Sequence, residues 1–331
     1  MNVGLIGINH KIADLGFRER FAKVCHALFG TAHTRLQVVL LSTCNRTELY
    51  FSSSDLAKTH SIILNLLKDH LSEEFDSLLY TYFGIDCFYH LARVTAGLDS
   101  AIIGETEIQG QVKSAYEAAA AQHRLPHALH FLFQKSLKIG KKVRSSFPAL
   151  TERGSLDETI LEKAGDLLGD LKTKKVLFVG ASKINKKILA RFKQRGVTQI
   201  SLCNRSTLSQ LPSERVLPWQ QLSRWIEYDL TIFGTKSLDY LIFPSTFSPR
   251  TRVVIDLGVP RNVDPRLGRL SQISLFNIDQ LNHLVAYKQK FEKSDPLYLA
   301  SQIVAEGARN HLSLFQAKER YRPQILLAQA S

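Results

Sequence analysis

A cysteine among polar residues is the group in this sequence best placed for nucleophilic chemistry. Cys44 lies in Ser42-Thr43-Cys44-Asn45-Arg46-Thr47-Glu48, directly after the apolar run from Val38 to Leu41. A thiol at the end of such a run is partly exposed, and the guanidinium of Arg46 favours the nucleophilic thiolate. The competing interpretation is a small apolar residue that closes a strand, because free cysteines are among the most buried residues. The residues themselves leave both interpretations open.

A glycine turn in the second half of the chain has the pattern of a phosphate site. Lys175 to Gly180 predict a strand that runs into glycine, and a helix over about residues 183 to 194 follows. A helix N terminus after such a turn presents backbone N–H groups and a positive dipole to a pyrophosphate. Only the first glycine of G-x-G-x-x-G is present. The alternative interpretation, a βαβ unit that binds no nucleotide, is therefore kept. The candidate loop residues are Gly180, Ala181, Ser182, Lys183, Ile184 and Asn185.

The end of the next predicted strand indicates which nucleotide would fit. Asn204, Arg205 and Ser206 lie where an NAD site has an acidic residue for the ribose. An arginine there accommodates a 2′-phosphate, so the expected cofactor is NADPH rather than NADH. Arg205 as an ordinary surface cation stays possible in principle. Lys183, Lys186 and Lys187 would supply positive charge near the phosphates. The alternative is that these lysines only form a solvent-exposed face of the helix.

A polar cluster interrupts the helical part of the first half. Gly97-Leu98-Asp99-Ser100 ends one predicted helix and Gly104-Glu105-Thr106-Glu107 opens another. Helix capping and the helix dipole explain these acidic and hydroxyl side chains without a ligand, but they do not explain Gln111. His90 lies beside an apolar stripe of the preceding helix. A histidine there is more often a core residue than a catalyst, unless Cys44 lies opposite it.

Composition bounds the class of protein. The 331 residues allow about two domains, and a formal charge of +13 suggests a polyanionic partner, nucleic acid before an anionic membrane surface. The alternative is that the charge only keeps the protein soluble. Four scattered cysteines without a C-x-x-C pair disfavour a zinc site and a disulfide framework. We expect a cytoplasmic protein with no membrane span, signal peptide or metal. A cluster of basic residues favours the polyanionic partner, namely Lys138, Lys141, Lys142 and Arg144.

Periodicity predicts two kinds of architecture. Strands at 3–8, 36–42, 47–52 and 78–83, with helices at 18–29 and 55–70, favour a split β-α-β layer that continues into helices as far as residue 146. After a linker at Phe147 to Gly154, strands at 175–180, 199–203, 230–234 and 253–257 favour a doubly wound parallel sheet. The chain is again helical after Phe276, with an interruption near Ser294-Asp295-Pro296 and a terminal helix over about 297–320.

Several motifs, in this order, resemble the glutamyl-tRNA reductase family from residue 1 to about 320. They are Gly7 to His10 with Arg18-Glu19, Ser42 to Glu48, Gly97 to Ser100 with Gly104-Glu105, Gly110 to Lys113, Gly140 to Arg144, and Asp256 to Arg261. The resemblance implies a catalytic, glutamyl-tRNA-binding domain at 1–148 and a Rossmann-type NADPH domain with its connecting helix at 149–276. It also implies a long C-terminal helix at 277–331 with a shortened dimerisation region.

The resemblance also implies a reaction. Cys44 would attack the ester that joins glutamate to its tRNA, and NADPH would reduce the resulting thioester to glutamate-1-semialdehyde for tetrapyrrole synthesis. The implied partners are glutamyl-tRNA(Glu), a second copy of the chain and glutamate-1-semialdehyde aminomutase. The implied catalytic residues are Cys44 and His90. The implied substrate residues are Thr43, Asn45, Arg46, Ser100, Glu105, Thr106, Glu107 and Gln111, and the implied cofactor residues are Gly180 to Asn185 and Asn204 to Ser206.

The chain departs from the family pattern in two motifs and in the C-terminal region, where the dimerisation domain that follows the family's long helix is shortened. The family usually reads Gly-Glu-Pro-Gln where this chain has Gly104-Glu105-Thr106-Glu107, and its cofactor loop has more glycine than Gly180-Ala181-Ser182. Two alternatives therefore accompany the main hypothesis. One is an NADP-dependent small-molecule oxidoreductase of the shikimate dehydrogenase kind, and the other is a tRNA-binding protein with a decayed cofactor site.

Overall fold

The chain forms two compact units, which we describe separately. The structure, a computed structural model, describes residues 1–30, 36–148, 150, 155–205, 215–244, 251–289 and 295–328. The first unit is Met1–Arg153 with Glu292–Ser331, and the second is Gly154–Phe291. Within those described ranges, no helix has the length and apolar character needed to cross a membrane. Ser206 and Ser294 lie outside the described residues, as do positions 149 and 151–154 of the predicted linker.

A four-stranded antiparallel sheet lies at the centre of the first unit. Its order is β2-β3-β1-β4, which is the arrangement of a split β-α-β layer and confirms the predicted fold class. Both faces of the sheet are buried, because Val3 and Leu5 of β1 enter one core while Ile6 and Ile8 enter the other. The strands are β1 (Val3–Asn9), β2 (Val38–Ser42), β3 (Arg46–Ser52) and β4 (Tyr80–Phe83).

Six helices cover the two faces of this sheet. The side chains of Asp14 and Asp55 cap the first turns of α1 (Leu15–Phe29) and α2 (Leu56–Lys68), which pack on the Ile6 face. The other face is covered by α3 (Gly84–Thr95), α4 (Glu107–Gln122), α5 (His127–Ser146) and, from far along the chain, α9 (Asp295–Ala328). A Cβ at Gly140 would lie 2.8 Å from the carbonyl oxygen of Thr95, so α5 and α3 approach closely there.

A six-stranded parallel sheet forms the second unit. Its order, β10-β9-β8-β5-β6-β7, is that of two mononucleotide-binding halves that meet between β5 and β8. Ligands of such sheets bind beyond the carboxyl ends of the strands at that junction. The strands are β5 (Val176–Val179), β6 (Ile200–Asn204), β7 (Arg215–Pro218), β8 (Leu230–Phe233), β9 (Arg252–Asp256) and β10 (Ile273–Asn277), and the helices are α6 (Leu156–Leu168), α7 (Lys183–Gln194) and α8 (Ile278–Gln289).

The structure differs from the sequence prediction at the edges of the second unit. The pattern predicts four of the six strands and omits β7 and β10, the two edge strands of the sheet. Edge strands are half-solvated and tolerate proline, as at Pro218, so their sequences carry a weaker signal. The sequence prediction groups α8 and α9 in one C-terminal segment, 277–331. In the structure, α8 packs against α6 within the second unit, whereas α9 belongs to the first unit.

Candidate active site

The turn between β2 and β3 presents Cys44 at the end of the first unit's sheet. The Thr43 hydroxyl accepts hydrogen bonds from the backbone N–H groups of Asn45 and Arg46, both at 3.2 Å, and thereby fixes the turn. The buried guanidinium of Arg18 donates to the carbonyl oxygen of Cys44 at 3.3 Å. Cys44 is half-buried, whereas the other three cysteines are fully buried. Among the four thiols, Cys44 is therefore the one that a substrate can reach.

The guanidinium of Arg46 is buried and bound to two carboxylates. Arg46 is 1% exposed, and it donates to Glu48 Oε1 at 2.8 Å and to Asp99 Oδ2 at 3.0 Å. A further hydrogen bond of 2.6 Å joins it to the backbone carbonyl of Asp99. The sequence suggested Arg46 as a partner for a substrate carboxylate. Such a group would have to replace Asp99, so this role of Arg46 stays a prediction.

Glu48 joins Arg46 to the predicted catalytic histidine. Its carboxylate lies on β3 with no exposure to solvent and accepts a 2.7 Å hydrogen bond from His90 Nε2. The hydroxyls of Tyr80 and Tyr50 donate to the same carboxylate at 2.5 and 2.6 Å. Burial alone would raise the pKa of Glu48, but the nearby charges of His90 and Arg46 and these hydrogen bonds lower it below its ordinary value. Glu48 is therefore an ionised carboxylate inside the unit.

The imidazole of His90 lies between a carboxylate and two aromatic rings. Its ring centroid is 5.3 Å from that of Tyr80 and 5.0 Å from that of Tyr82, both on β4. The side chain of His90 is 11% exposed. These contacts restrict its rotation, while Glu48 occupies its Nε2. His90 is thus held in one orientation next to the network that begins beside Cys44.

The loop after α3 supplies the remaining groups of this network. Asp99 binds Arg46 and also accepts a 2.5 Å hydrogen bond from Lys11 Nζ. Burial would raise the pKa of Asp99, but the charge of Arg46 and the hydrogen bond from Lys11 lower it. The hydroxyl of Ser100 is buried and has no hydrogen-bond partner in the part of the chain that the structure describes. A buried hydroxyl of this kind is suited to a polar group of a ligand.

The residues predicted from Glu105 to Gln111 begin the helix that packs against β2. Thr106 is the N-cap residue of α4 and is exposed, and its carbonyl oxygen accepts a 3.4 Å hydrogen bond from Arg144 Nη1. Glu105, Glu107 and Gln111 are half-buried. Ile108 and Val112 of α4 share a core with Val39 and Leu41 of β2, the strand that leads to the Cys44 turn. This packing positions the start of α4 relative to the strand that leads to the thiol.

The predicted nucleotide loop of the second unit lies at the junction between its two halves. Gly180 has φ +89°, and a Cβ there would lie 2.6 Å from the carbonyl oxygen of Gly234. The Ser182 hydroxyl caps α7 by accepting from the N–H of Asn185 at 3.2 Å. The Asn185 side chain donates to the carbonyls of Val179 and Gly180 at 2.9 and 2.8 Å. The loop therefore keeps a tight turn at a helix N terminus although two motif glycines are missing.

The other predicted cofactor residues have different environments. Asn204 is half-buried at the end of β6, and the guanidinium of Arg205 lies over the ring of Trp219, 5.0 Å from its centroid. Lys183 is exposed beside the loop, whereas Lys187 forms an ion pair with Asp157 at 3.0 Å. Lys187 thus has a structural partner of its own. Lys183, Lys186, which is also exposed, and Arg205 are the cations of this set that a bound phosphate could use.

Comparison with known proteins identifies the family. Residues 6–147 match the description "Glutamyl-tRNAGlu reductase, N-terminal domain", and residues 162–284 match "Shikimate / quinate 5-dehydrogenase". The glutamyl-tRNA reductase of Desulfitobacterium hafniense is 32% identical over 91% of this chain and 73% of its own length. The chain belongs to the glutamyl-tRNA reductase family. The glutamyl-tRNA reductase of Chlamydia abortus is 37% identical over 79% of this chain and 78% of its own length. A solved glutamyl-tRNA reductase structure from Methanopyrus kandleri covers 99% of this chain and 83% of its own at 23% identity, with a TM-score of 0.49.

Membership of the glutamyl-tRNA reductase family confirms the resemblance and separates the alternatives. The dehydrogenase match covers the second unit and makes it a nicotinamide-nucleotide-binding domain. The first unit matches the glutamyl-tRNA reductase N-terminal domain, which a small-molecule dehydrogenase does not explain. The shikimate dehydrogenase alternative therefore describes one unit rather than the whole chain.

The sequence analysis missed several residues of this reductase's network. From the sequence, Glu48 has no predicted role, Asp99 is interpreted as a helix-capping residue, and Lys11, Tyr80 and Tyr82 are not singled out. Glu48 has a signal that could have been used, because an acidic side chain directly before the apolar run Leu49-Tyr50-Phe51 of a strand needs a partner when the strand is buried. The two tyrosines have none, since their contact with His90 depends on the pairing of β4 with β1.

Proposed function

We propose that this chain is an NADPH-dependent reductase of glutamyl-tRNA that releases glutamate-1-semialdehyde for tetrapyrrole synthesis. One observation carries the proposal. The accessible thiol, Cys44, lies at the end of a buried network of Arg46, Glu48, His90 and Asp99, inside the region that matches the glutamyl-tRNA reductase N-terminal domain. An accessible thiol two residues before the arginine of a network that orders a histidine suits acyl transfer.

Cys44 divides the reduction into two steps. The thiolate attacks the ester carbonyl of glutamyl-tRNA, a C–S bond forms, the C–O bond breaks, and the tRNA 3′ oxygen leaves with a proton. In the second step a hydride adds to the thioester carbonyl and the C–S bond breaks, which releases the aldehyde and returns the thiol with one proton. A thioester is more easily reduced than the ester, because sulfur stabilises the carbonyl less than oxygen does.

The polar residues around Cys44 would bind the glutamyl group. Thr43 and Asn45 flank the nucleophile, and the buried hydroxyl of Ser100 and the half-buried carboxylate of Glu105 lie on the loop that ends at α4. An acidic side chain can hold the glutamyl ammonium group. The remaining proposed substrate residues are Arg46, Thr106, Glu107 and Gln111.

NADPH would bind along the Gly180 loop of the second unit and would supply the hydride. The tight turn at Gly180 and the N terminus of α7 fit a pyrophosphate, so the residues fit the cofactor despite the altered motif. Arg205, held against Trp219, is proposed to bind the 2′-phosphate and so to favour NADPH over NADH. Ala181, Lys183, Ile184, Asn204 and Ser206 complete the proposed contact set.

The charge of the chain supports a tRNA partner. A formal charge of +13 and the basic cluster on α5 suit phosphate contacts, which make binding weaker as salt concentration rises. We expect the affinity for glutamyl-tRNA to fall steeply between low and moderate salt in a filter-binding assay. A homodimer and a complex with glutamate-1-semialdehyde aminomutase stay predictions of the resemblance, and a cytoplasmic location stays a prediction of the sequence.

An acyl-transfer assay tests the proposed function. The protein is incubated with glutamyl-tRNA that carries labelled glutamate, with and without NADPH. Without NADPH we expect a protein-bound label that neutral hydroxylamine releases, and with NADPH we expect the label to leave as the semialdehyde. The Cys44→Ser variant should form no hydroxylamine-sensitive adduct.

A second cysteine provides the matched control. Cys25→Ala removes a thiol whose pKa is raised by burial, and this variant should keep the adduct. Absence of the adduct in the unmutated protein would refute the thioester mechanism. An adduct that NADPH never converts would indicate that the hydride step has been lost and would favour a tRNA-binding protein instead.

A further inference from the structure

The environment of Glu48 is unusual for a residue that needs no contact with substrate. Its carboxylate is fully buried. Its Oε1 accepts hydrogen bonds from His90 Nε2 at 2.7 Å, from Arg46 at 2.8 Å and from the Tyr80 hydroxyl at 2.5 Å. The other oxygen, Oε2, accepts a hydrogen bond from the Tyr50 hydroxyl at 2.6 Å. A buried charge is costly, and this one is neutralised and hydrogen-bonded on both oxygens. Such a site orders its partners as well as itself.

The hydrogen bond between Glu48 and His90 determines which ring nitrogen carries the proton. An ionised carboxylate only accepts hydrogen bonds, so His90 Nε2 must donate. In the neutral ring the proton then lies on Nε2, and Nδ1 has the free electron pair. Acid–base chemistry by His90 would therefore use Nδ1.

The aromatic neighbours of His90 stabilise this orientation of its imidazole ring. The rings of Tyr80 and Tyr82 on β4 pack against the imidazole, and the Tyr80 hydroxyl also binds Glu48. A ring flip of His90 would break the hydrogen bond to Glu48. Among the described residues, the titratable or charged groups around the histidine include Glu48, Tyr80, Tyr82 and Asp99, with Arg46 behind Glu48.

We propose that Glu48 is a positioning residue of the reaction, which binds His90 through its Nε2–H group and so assigns proton transfer to Nδ1. The inference rests on the proposed function, because it gives His90 a task in that reaction. The arrangement follows the general logic of a carboxylate that orients a catalytic imidazole. Glu48 itself is too deeply buried to contact the substrate.

The first test uses the unmutated protein and does not depend on activity. Histidine labelled with ¹⁵N is incorporated, and the His90 signals are identified by their absence in His90→Asn. We expect Nε2 to keep its proton throughout a pH titration, so that Nδ1 is the ring nitrogen that gains or loses one. A neutral ring with its proton on Nδ1 instead would overturn the proposal. Failure of the acyl-transfer assay would leave this spectrum unchanged, so the two proposals fail separately.

The second test compares two changes at the same carboxylate. Glu48→Gln removes the charge that requires His90 to donate, whereas Tyr50→Phe removes a hydrogen bond to Oε2 and leaves the one from His90. We expect Glu48→Gln to lower the rate of thioester formation about 100-fold or more, the usual contribution of an acid–base group, with a smaller change in KM. The His90 spectrum should change as well.

Tyr50→Phe should keep the Nε2–H spectrum and lose little rate, although it also lowers the melting temperature. A folded Glu48→Gln with unchanged rate and spectrum would refute the positioning role. Equal rate losses in the two variants would show that Glu48 acts only through stability. If Glu48→Gln does not fold, the spectrum of the unmutated protein still decides which ring nitrogen carries the proton.

Discussion

The Cys44 site and the Gly180 loop achieve order in different ways. The Cys44 site is fixed by side chains, because Arg46, Glu48, Asp99 and His90 hold one another through charge and hydrogen bonds. The Gly180 loop is fixed mainly by backbone geometry, namely the positive φ of Gly180 and its close approach to a neighbouring strand end. A substitution at the Cys44 site removes a charge with which neighbouring side chains are paired. The Gly180 loop can instead accept different side chains at positions other than Gly180, because its backbone conformation is what fixes it.

This difference explains why one motif is intact and the other is altered. At Ser182 and Asn185 the chain has lost two glycines of the usual pattern, yet the Ser182 hydroxyl caps α7 and the Asn185 amide binds two loop carbonyls. These side chains form hydrogen bonds where the family pattern uses small residues. An altered glycine motif is therefore weak evidence for a lost cofactor site when the turn itself is retained.

The largest effect should come from breaking the ion pairs of the first site. Arg46→Met would remove the guanidinium that the fully buried carboxylate of Glu48 shares with the half-buried one of Asp99, and loss of one partner of a buried ion pair typically costs about 3–5 kcal/mol of unfolding free energy. Urea denaturation measures this loss. The control is Arg20→Met, which removes an ion pair with Glu73 in which both side chains are about half exposed, and it should cost less than about 1 kcal/mol. Similar losses in the two variants would contradict the comparison.

A smaller but specific effect is expected at the turn of the second site. Gly180→Ala places a Cβ 2.6 Å from a carbonyl oxygen at a left-handed φ, so the loop must shift. The left-handed conformation alone costs about 1–2 kcal/mol, so NADPH binding should weaken at least roughly tenfold. Fluorescence titration measures it, and the Cys44 adduct should still form. Gly169→Ala, also at positive φ but with open space around it, should leave NADPH affinity unchanged.

The preference between nicotinamide cofactors tests the side chains of the second site. Arg205→Ser removes the guanidinium proposed for the 2′-phosphate, and we expect kcat/KM with NADPH to fall roughly tenfold while the value with NADH stays similar. Steady-state kinetics with both cofactors measures the ratio. Lys193→Ser, on the last turn of α7, serves as a control for a general loss of positive charge. A parallel fall with both cofactors would argue against the assignment.

The smallest effect is expected at the rim of the Cys44 network. Lys11 binds Asp99 at 2.5 Å, but its side chain is about half exposed at 49%. Exposed ion pairs contribute little, so Lys11→Ala should lower the unfolding free energy by about 0.2–1 kcal/mol. Urea denaturation in low and high salt measures this, and the difference should shrink in high salt. A loss as large as that of Arg46→Met would place the centre of the network at Asp99.

The sequence predicted the fold of both units and the position of Cys44 because these depend on local patterns. Apolar runs and a glycine turn indicate strands and their ends, and the helices before residue 146 follow from periodicity. The partners of His90 depend instead on the pairing of β1 with β4, which places Tyr82 opposite Leu5. No local pattern encodes that pairing. The guanidinium of Arg46 was expected to be open for the same reason, since Asp99 lies 53 residues away.

The core of the first unit has a consequence for the order of events during synthesis. Ala300, Val304 and Ala308 of α9 are buried in the same core as residues of α3 and α5. The intervening residues, Gly154–Phe291, form the second unit from one continuous stretch. A ribosome therefore delivers every residue of the nucleotide-binding unit before it delivers the helix that completes the core behind the Cys44 site. The part of the protein that is encoded first is the last to be finished.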